Sequence, residues 1–284
     1  MSSKKRNIDI LVLSDVHLGT HGCHSKELLV YLKSVKPKML ILNGDIIDIW
    51  QFSKRYWPKS HMKVVKHIIG LASKGVTTYY ITGNHDEILR KFAGFKIGSL
   101  HILNNLVLDL DGRKTWFFHG DVFDVIMQYS KWLAKLGSFG YDALIMLNNI
   151  INRIYSLFGK DKVSLSKKIK ENVKSAVKYI NNFEVTAAML AVKKGYRNIV
   201  CGHIHHAEIR DIKINDKVIT YLNSGDWVEN LTALEYHKKE WKIYTFPKNP
   251  KGIFLDDDQE DDTTALADYD SKELFQLMLE EFKN

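Results

Sequence analysis

The chain has 284 residues, 45% of them hydrophobic and 26% charged, with a net charge of +8. That composition excludes wholesale disorder and suits one large folded domain, with room for an insertion. Cys23 and Cys201 are too few for a disulfide framework and suit a reducing cytosol, and no uncharged apolar run is long enough to be a spanning helix.

The N-terminal apolar run is short and ends in a carboxylate, so it reads as a strand over residues 8–14 and not as a signal peptide. A helix follows at 24–35, a buried strand at 38–43, a helix at 60–74 and a third strand at 77–82. This β-α-β-α-β alternation predicts a layered α/β fold with helices packed on a sheet. Residues 101–110 and 114–118 are expected to pair as a hairpin around Asp111-Gly112.

From 122 to 194 strand signals give way to helical ones, which predicts a helical insertion in the domain formed by residues 1–252. Within it, residues 127–180 hold 10 basic and 3 acidic side chains. Such a segment could be a solvated face, or could meet nucleic acid, an anionic ligand or a membrane surface. Strands resume at 198–201, 207–213, 217–223, 230–236 and 240–246, with turns at Asn215-Asp216 and Lys238-Lys239. Residues 253–284 carry 11 acidic and 2 basic side chains and read as an acidic linker ending in a short helix.

Five short motifs follow five of the predicted strands: Asp15-Val16-His17, Gly44-Asp45-Ile46-Ile47-Asp48, Gly83-Asn84-His85-Asp86, His119-Gly120-Asp121 and Gly202-His203-Ile204-His205-His206. Ligands of α/β sheets bind beyond the carboxyl ends of strands, so all five can converge on one edge. Two divalent cations a few Å apart repel and need anionic ligands, and the two oxygens of Asp45 suit a bridging role. Imidazoles suit Mn, Fe, Zn or Co, and a mixed N/O shell does not choose among them. Asp15 and His17 are two residues apart at a strand end, where a turn can aim both at one ion; His203 and His205 have the same spacing. Lone histidines such as His61, His67 and His101 read as surface or satisfied groups, and Asp48 and Asp121 as helix caps or supports for ligand histidines. No Gly-x-x-x-x-Gly-Lys phosphate loop is present, which leaves an ATPase without support.

The order D-x-H, G-D-x-x-D, G-N-H-D, H-G-D and G-H-x-H resembles the calcineurin-like metallophosphoesterase superfamily, from about residue 8 to 246 without the insertion. The resemblance implies a β-sandwich flanked by helices and a hydrolase with two divalent metal ions, manganese foremost. Asp15, His17, Asp45 and His205 would hold one ion, and Asp45, Asn84, His119 and His203 the other. Asn84 and His85 would stabilise the phosphoryl group or the leaving group, and Asp86 would orient His85.

The helical insertion after H-G-D, apolar nearly all round near residues 143–158, must be buried in protein or lipid. It is either a hairpin packed on the body or a lid for acyl chains. As a lid it resembles the UDP-2,3-diacylglucosamine diphosphatases of lipid A synthesis, as does the stretch Asn223-Ser224-Gly225-Asp226-Trp227. That group carries Arg where this chain has His85. The resemblance implies an anionic, lipid-linked nucleotide substrate, a cytoplasmic location peripheral on the inner membrane, and no nucleic-acid partner. Asp124, Lys131, Lys167 and Asn223 are the candidate substrate contacts. The alternatives are a broader phosphoesterase of nucleotides or other lipid phosphodiesters, and a metal-bearing scaffold without catalysis.

Overall fold

The computed structural model describes residues 5–52, 56–124 and 183–247. The chain divides into two compact units, Met1–Gly120 with Ala191–Asn284, and Asp121–Leu190. Of the second unit, residues 121–124 and 183–190 are described. Most of the expected 122–194 insertion lies outside the described residues, as do Lys131, Lys167, the acidic segment and the C-terminal helix.

Two β-sheets build the first unit. The larger has seven strands in the order β12-β11-β1-β2-β3-β5-β4. Its parallel centre is β1 (Arg6–Leu13), β2 (Val35–Asn43), β3 (Thr77–Ile81) and β5 (Leu100–Leu103). The antiparallel edges are β11 (Thr232–His237) with β12 (Glu240–Thr245), and β4 (Lys96–Ile97). The smaller sheet runs β6-β7-β8-β10-β9. It comprises β6 (Leu106–Leu110), β7 (Arg113–Phe117), β8 (Asn198–Cys201), β9 (Glu208–Ile214) and β10 (Lys217–Asn223), with β7, β8 and β10 parallel.

Burial follows the apolar pattern. Alternate residues of the larger sheet (Ile10, Val12, Ile41, Ile81, Leu234) join Phe117, Val200 and Leu222 of the smaller sheet in one core cluster. Residues of the opposite set, such as Leu11, Leu13, Leu40 and Leu42, face a second cluster. That cluster takes Leu28, Leu29 and Leu32 from helix α1 (Ser25–Ser34) and Val64, Val65 and Ile68 from α3 (Lys59–Ser73). Both sets recur at three- and four-residue steps, the mark of a helix with one buried stripe. Each such side chain, fully buried, contributes about 1.5–3 kcal/mol. Gly75, at φ +88°, ends α3 in the left-handed conformation that frees the chain to turn into β3. A single helical turn, α2 (Ile49–Phe52), a 3₁₀ helix (Glu87–Phe92) and helix α4 (Phe183–Lys194) complete the described elements.

The expected hairpin over 101–118 needs correction. Residues 101–110 are not one strand: β5 belongs to the larger sheet and β6 to the smaller. The break comes at Asn104-Asn105, polar residues suited to a bend. The hairpin is β6–β7 alone, paired from Leu106↔Phe117 to Leu110↔Arg113. Asp111 and Gly112, at φ 53° and 76°, form its two-residue turn.

Candidate metal centre

The five motifs begin one or two residues beyond the carboxyl ends of β1, β2, β3, β7 and β8. The larger sheet presents Asp15, His17, Asp45 and Asn84, and the smaller presents His119, His203 and His205. Their ligand atoms fall into sets that could each hold a metal ion: Asp15, His17 and His205; Asp45, His119 and His203; and His17, Asp48 and His85. Each of the first two sets draws from both sheets.

In the first set the Nε2 atoms of His17 and His205 are 3.3 Å apart, and His205 Nε2 is 3.4 Å from Asp15 Oδ1. Behind the rings stand two more carboxylates. Asp48 Oδ2 is 3.5 Å from His17 Nδ1, and Asp226 Oδ2 is 3.4 Å from His205 Nδ1. In the second set His119 Nε2 is 3.0 Å from Asp45 Oδ2, while its Nδ1 donates to the Asn43 carbonyl at 2.9 Å. That bond commits Nδ1–H to the carbonyl and leaves Nε2 as the nitrogen available to a cation once its proton is displaced.

Two observations test whether the site suits metal ions. Asn84 Oδ1 and His119 Nε2 are buried without a hydrogen-bond partner. Orphaned polar atoms are costly inside a protein, and a cation satisfies both. The glycines leave room for the ligands and for nothing else. A Cβ on Gly44 would collide with the His119 ring, one on Gly83 with Asp45, and one on Gly202 with Asp15 and Ser14. The residues therefore fit divalent ions.

The backbone is bent to the same purpose. Asp15, His17, Asp45, His203 and His205 all have positive φ, between 52° and 71°. Non-glycine residues held this way cost about 1–3 kcal/mol each and persist where the surroundings over-determine them. Here the carboxylates do so by accepting amides. Asp15 takes His203 N–H at 3.0 Å, and Asp45 takes His85 N–H at 2.8 Å.

Electrostatics couples the charges. Burial pushes the Asp45 carboxyl up, but His119 beside it pushes it further down, so the net shift is downward, to about 2. Burial lowers His119, and Asp45 and Asp15 more than reverse this, leaving it raised. Asp15 and Asp226 raise His205 to about 10. Without ions these imidazoles hold protons that a metal must displace.

The other expected residues are placed as follows. His85 is part-exposed, its Nδ1 2.9 Å from Asp48 Oδ2, and that carboxylate raises its pKa. The group beside the His85 ring is thus Asp48, not Asp86 as expected. Asp86 is fully buried and holds the loop instead, accepting from Gly83 N at 2.6 Å, Tyr80 Oη at 2.7 Å and Ile46 N at 3.0 Å. Neighbours in sequence point apart, which spacing alone could not reveal. Asn223, a candidate substrate contact, is fully buried with its amide engaged: it donates to Gly202 O and Tyr221 Oη and accepts from Gly225 N. Asp124 lies in the second unit. His61 is buried and accepts from Gly19 N at 2.9 Å, a satisfied structural histidine.

The sequence resemblance pointed to the Asn223–Trp227 stretch but assigned Asp226 no role of its own. Its signal was position: it follows β10, the parallel neighbour of β8, and so ends at the same sheet edge as the Gly202–His206 motif.

Comparison with known proteins identifies the family. The chain is 28% identical over 249 residues to a UDP-2,3-diacylglucosamine hydrolase of Aliivibrio fischeri strain MJ11, covering 82% of this chain and 99% of that protein. A protein of the same name from Blochmanniella pennsylvanica is 25% identical over 244 residues, covering 82% and 93%. Among solved structures, an archaeal phosphodiesterase aligns with a TM-score of 0.36 at 14% identity, covering 83% of this chain and 98% of that one. The family model for calcineurin-like phosphoesterases matches residues 8–207 and takes in all five motifs. This chain belongs to the calcineurin-like phosphoesterase family and is a metal-dependent phosphoester hydrolase.

Proposed function

We propose that the chain hydrolyses the pyrophosphate of UDP-2,3-diacylglucosamine, giving UMP and 2,3-diacylglucosamine 1-phosphate. The observation that carries the reading is the pair of Asp/His sets at one strand edge, in a chain whose curated relatives share that substrate in their name over more than four-fifths of its length. Asp15, His17, Asp45 and His205 would hold one ion, and Asp45, Asn84, His119 and His203 the other. Two such ions supply an activated water and neutralise charge on the phosphoryl oxygens.

The chain's own groups do the rest. Asp45 would bridge the two ions, and its Oδ2 stands 3.0 Å from His119 Nε2. His85, carried on the loop after β3 and steadied by Asp48, faces the phosphoryl group and stabilises its developing charge or protonates the leaving group. The His85 backbone N–H, donated to Asp45, ties that loop to the bridging carboxylate. We place the protein in the cytoplasm, peripheral on the inner membrane, with the apolar residues of the 122–194 segment receiving the acyl chains and its basic residues the anionic head group. Among the described residues no helix is long and apolar enough to cross a membrane.

The test is UMP release from UDP-2,3-diacylglucosamine in mild detergent by the purified, manganese-loaded protein. Release at an enzymic rate that stops on chelation supports the reading. Failure on this substrate, with an artificial phosphodiester still cleaved, rejects the lipid-linked substrate and leaves a broader phosphoesterase of nucleotides or other phosphodiesters.

A further inference from the structure

We propose that Asp226 is the positioning residue that holds the His205 imidazole for one of the two ion sites and contributes nothing to the other. The proposal rests on the reading above, that the Asp/His sets hold ions.

Packing fixes His205 less than it fixes Asp15, Asp45 or His119. Asp15, Asp45 and His119 are all but inaccessible, whereas the His205 side chain is 37% exposed. A half-exposed imidazole on a left-handed residue can occupy several rotamers, and a metal ligand must occupy one. Some contact outside the coordination sphere has to select it. The group in place is Asp226, whose Oδ2 faces Nδ1 while Nε2 points at Asp15 and His17. An anionic acceptor there fixes the tautomer with the Nε2 lone pair inward and makes that nitrogen a better donor to a cation.

Asp226 is itself immobilised. It is fully buried. Oδ1 accepts the backbone N–H groups of Val228, Glu229 and Asn230 at 3.0, 2.7 and 2.8 Å. Oδ2 accepts from Asn230 Nδ2 at 2.9 Å, and the same amide donates to the His205 carbonyl at 2.8 Å. Ring and backbone of His205 are therefore both held by the Asp226–Asn230 pair. The adjoining residue ties in the second ligand of the same set: Trp227 N–H donates to the Asp15 carbonyl at 3.1 Å. His119 of the other set is anchored differently, by burial and by the Asn43 carbonyl.

Asp226→Asn is the informative change. The amide oxygen can still accept the three backbone N–H groups, while the NH2 faces His205 and removes the acceptor. Manganese binding to the full-length protein is measured by equilibrium dialysis in three backgrounds: wild type, His119→Ala, which cripples the second set, and His205→Ala, which cripples the first. We expect Asp226→Asn to weaken one of two ions in the wild type by about 10–100-fold. The same weakening should appear on the ion that remains in His119→Ala. The ion that remains in His205→Ala should bind unchanged, an outcome a general collapse of the loop would not give. Equal weakening in both backgrounds, or none in His119→Ala, overturns the proposal. If the wild-type protein binds no manganese, the metal reading fails first, and visibly so. Should Asp226→Asn not fold, Asn230→Ala keeps the carboxylate but loosens it, and must show a smaller weakening confined to the same site.

Discussion

At the end of the strands remote from the motifs, Asp111, Lys238 and Lys239 take positive φ within two-residue hairpin turns, and Asn215 does so at the start of a third such loop. These turns need that conformation because it matches the twist of the paired strands. Exposed ion pairs surround them, such as Lys38–Asp9 at 2.7 Å. At the motif end, Asp15, His17, Asp45, His203 and His205 take the same conformation without closing a two-residue hairpin. The neighbours there are buried carboxylates, imidazoles and glycines whose missing Cβ atoms are the space the ligands fill. One backbone state thus serves connection at one end and aims side chains at the other. The environment, not the dihedral, tells them apart.

Substitutions at the two ends should part by orders of magnitude. Asp45→Ala removes the carboxylate proposed to bridge both ions; turnover should vanish and metal analysis should find both ions lost, and retained activity would contradict a shared ligand. His85→Ala should lower kcat about 10²–10⁴-fold with metal content intact if, as proposed, the ring acts on the substrate and not on the ions. Loss of metal instead would make it a ligand. Gly44→Ala puts a Cβ into the His119 ring at φ +83°, so thermal unfolding should show a loss of about 2–4 kcal/mol together with weaker metal binding.

Acidity probes the same end more gently. His205 carries a proton in the ion-free protein because Asp15 and Asp226 raise its pKa to about 10. An arriving cation must release that proton, so affinity should rise with pH by up to about tenfold per unit across neutral pH, and fall as pH falls. Calorimetry in buffers of different ionisation enthalpy reads the released protons directly; a pH-independent affinity would mean the imidazole was already neutral. Lys38→Ala at the remote end should change stability by less than about 1 kcal/mol and leave kcat alone.

Much of this was legible beforehand. The strands ahead of the motifs announced themselves as apolar runs, and each motif followed one of them. What escaped had identifiable causes. Residues 101–110 alternate like one strand, and nothing local says that Asn104-Asn105 carries the chain between sheets. The partner of His85 could not be chosen between Asp48 and Asp86, because that depends on which way adjacent side chains leave a loop. Asp226 sits 21 residues after His205 and meets it through strand pairing, a contact that linear spacing does not encode.

Because each of the first two ligand sets takes members from both sheets, an ion there would be a rivet between two layers that an apolar core and a few hydrogen bonds already join. The complete sites do not exist until the layers have docked, so capture of the cation must come after the slow, long-range step of folding. Every ion bound then favours the docked state in proportion to the logarithm of its free concentration. Metal supply would thus set how long the molecule survives heat and proteases, and a starved cell would lose the protein itself along with its activity.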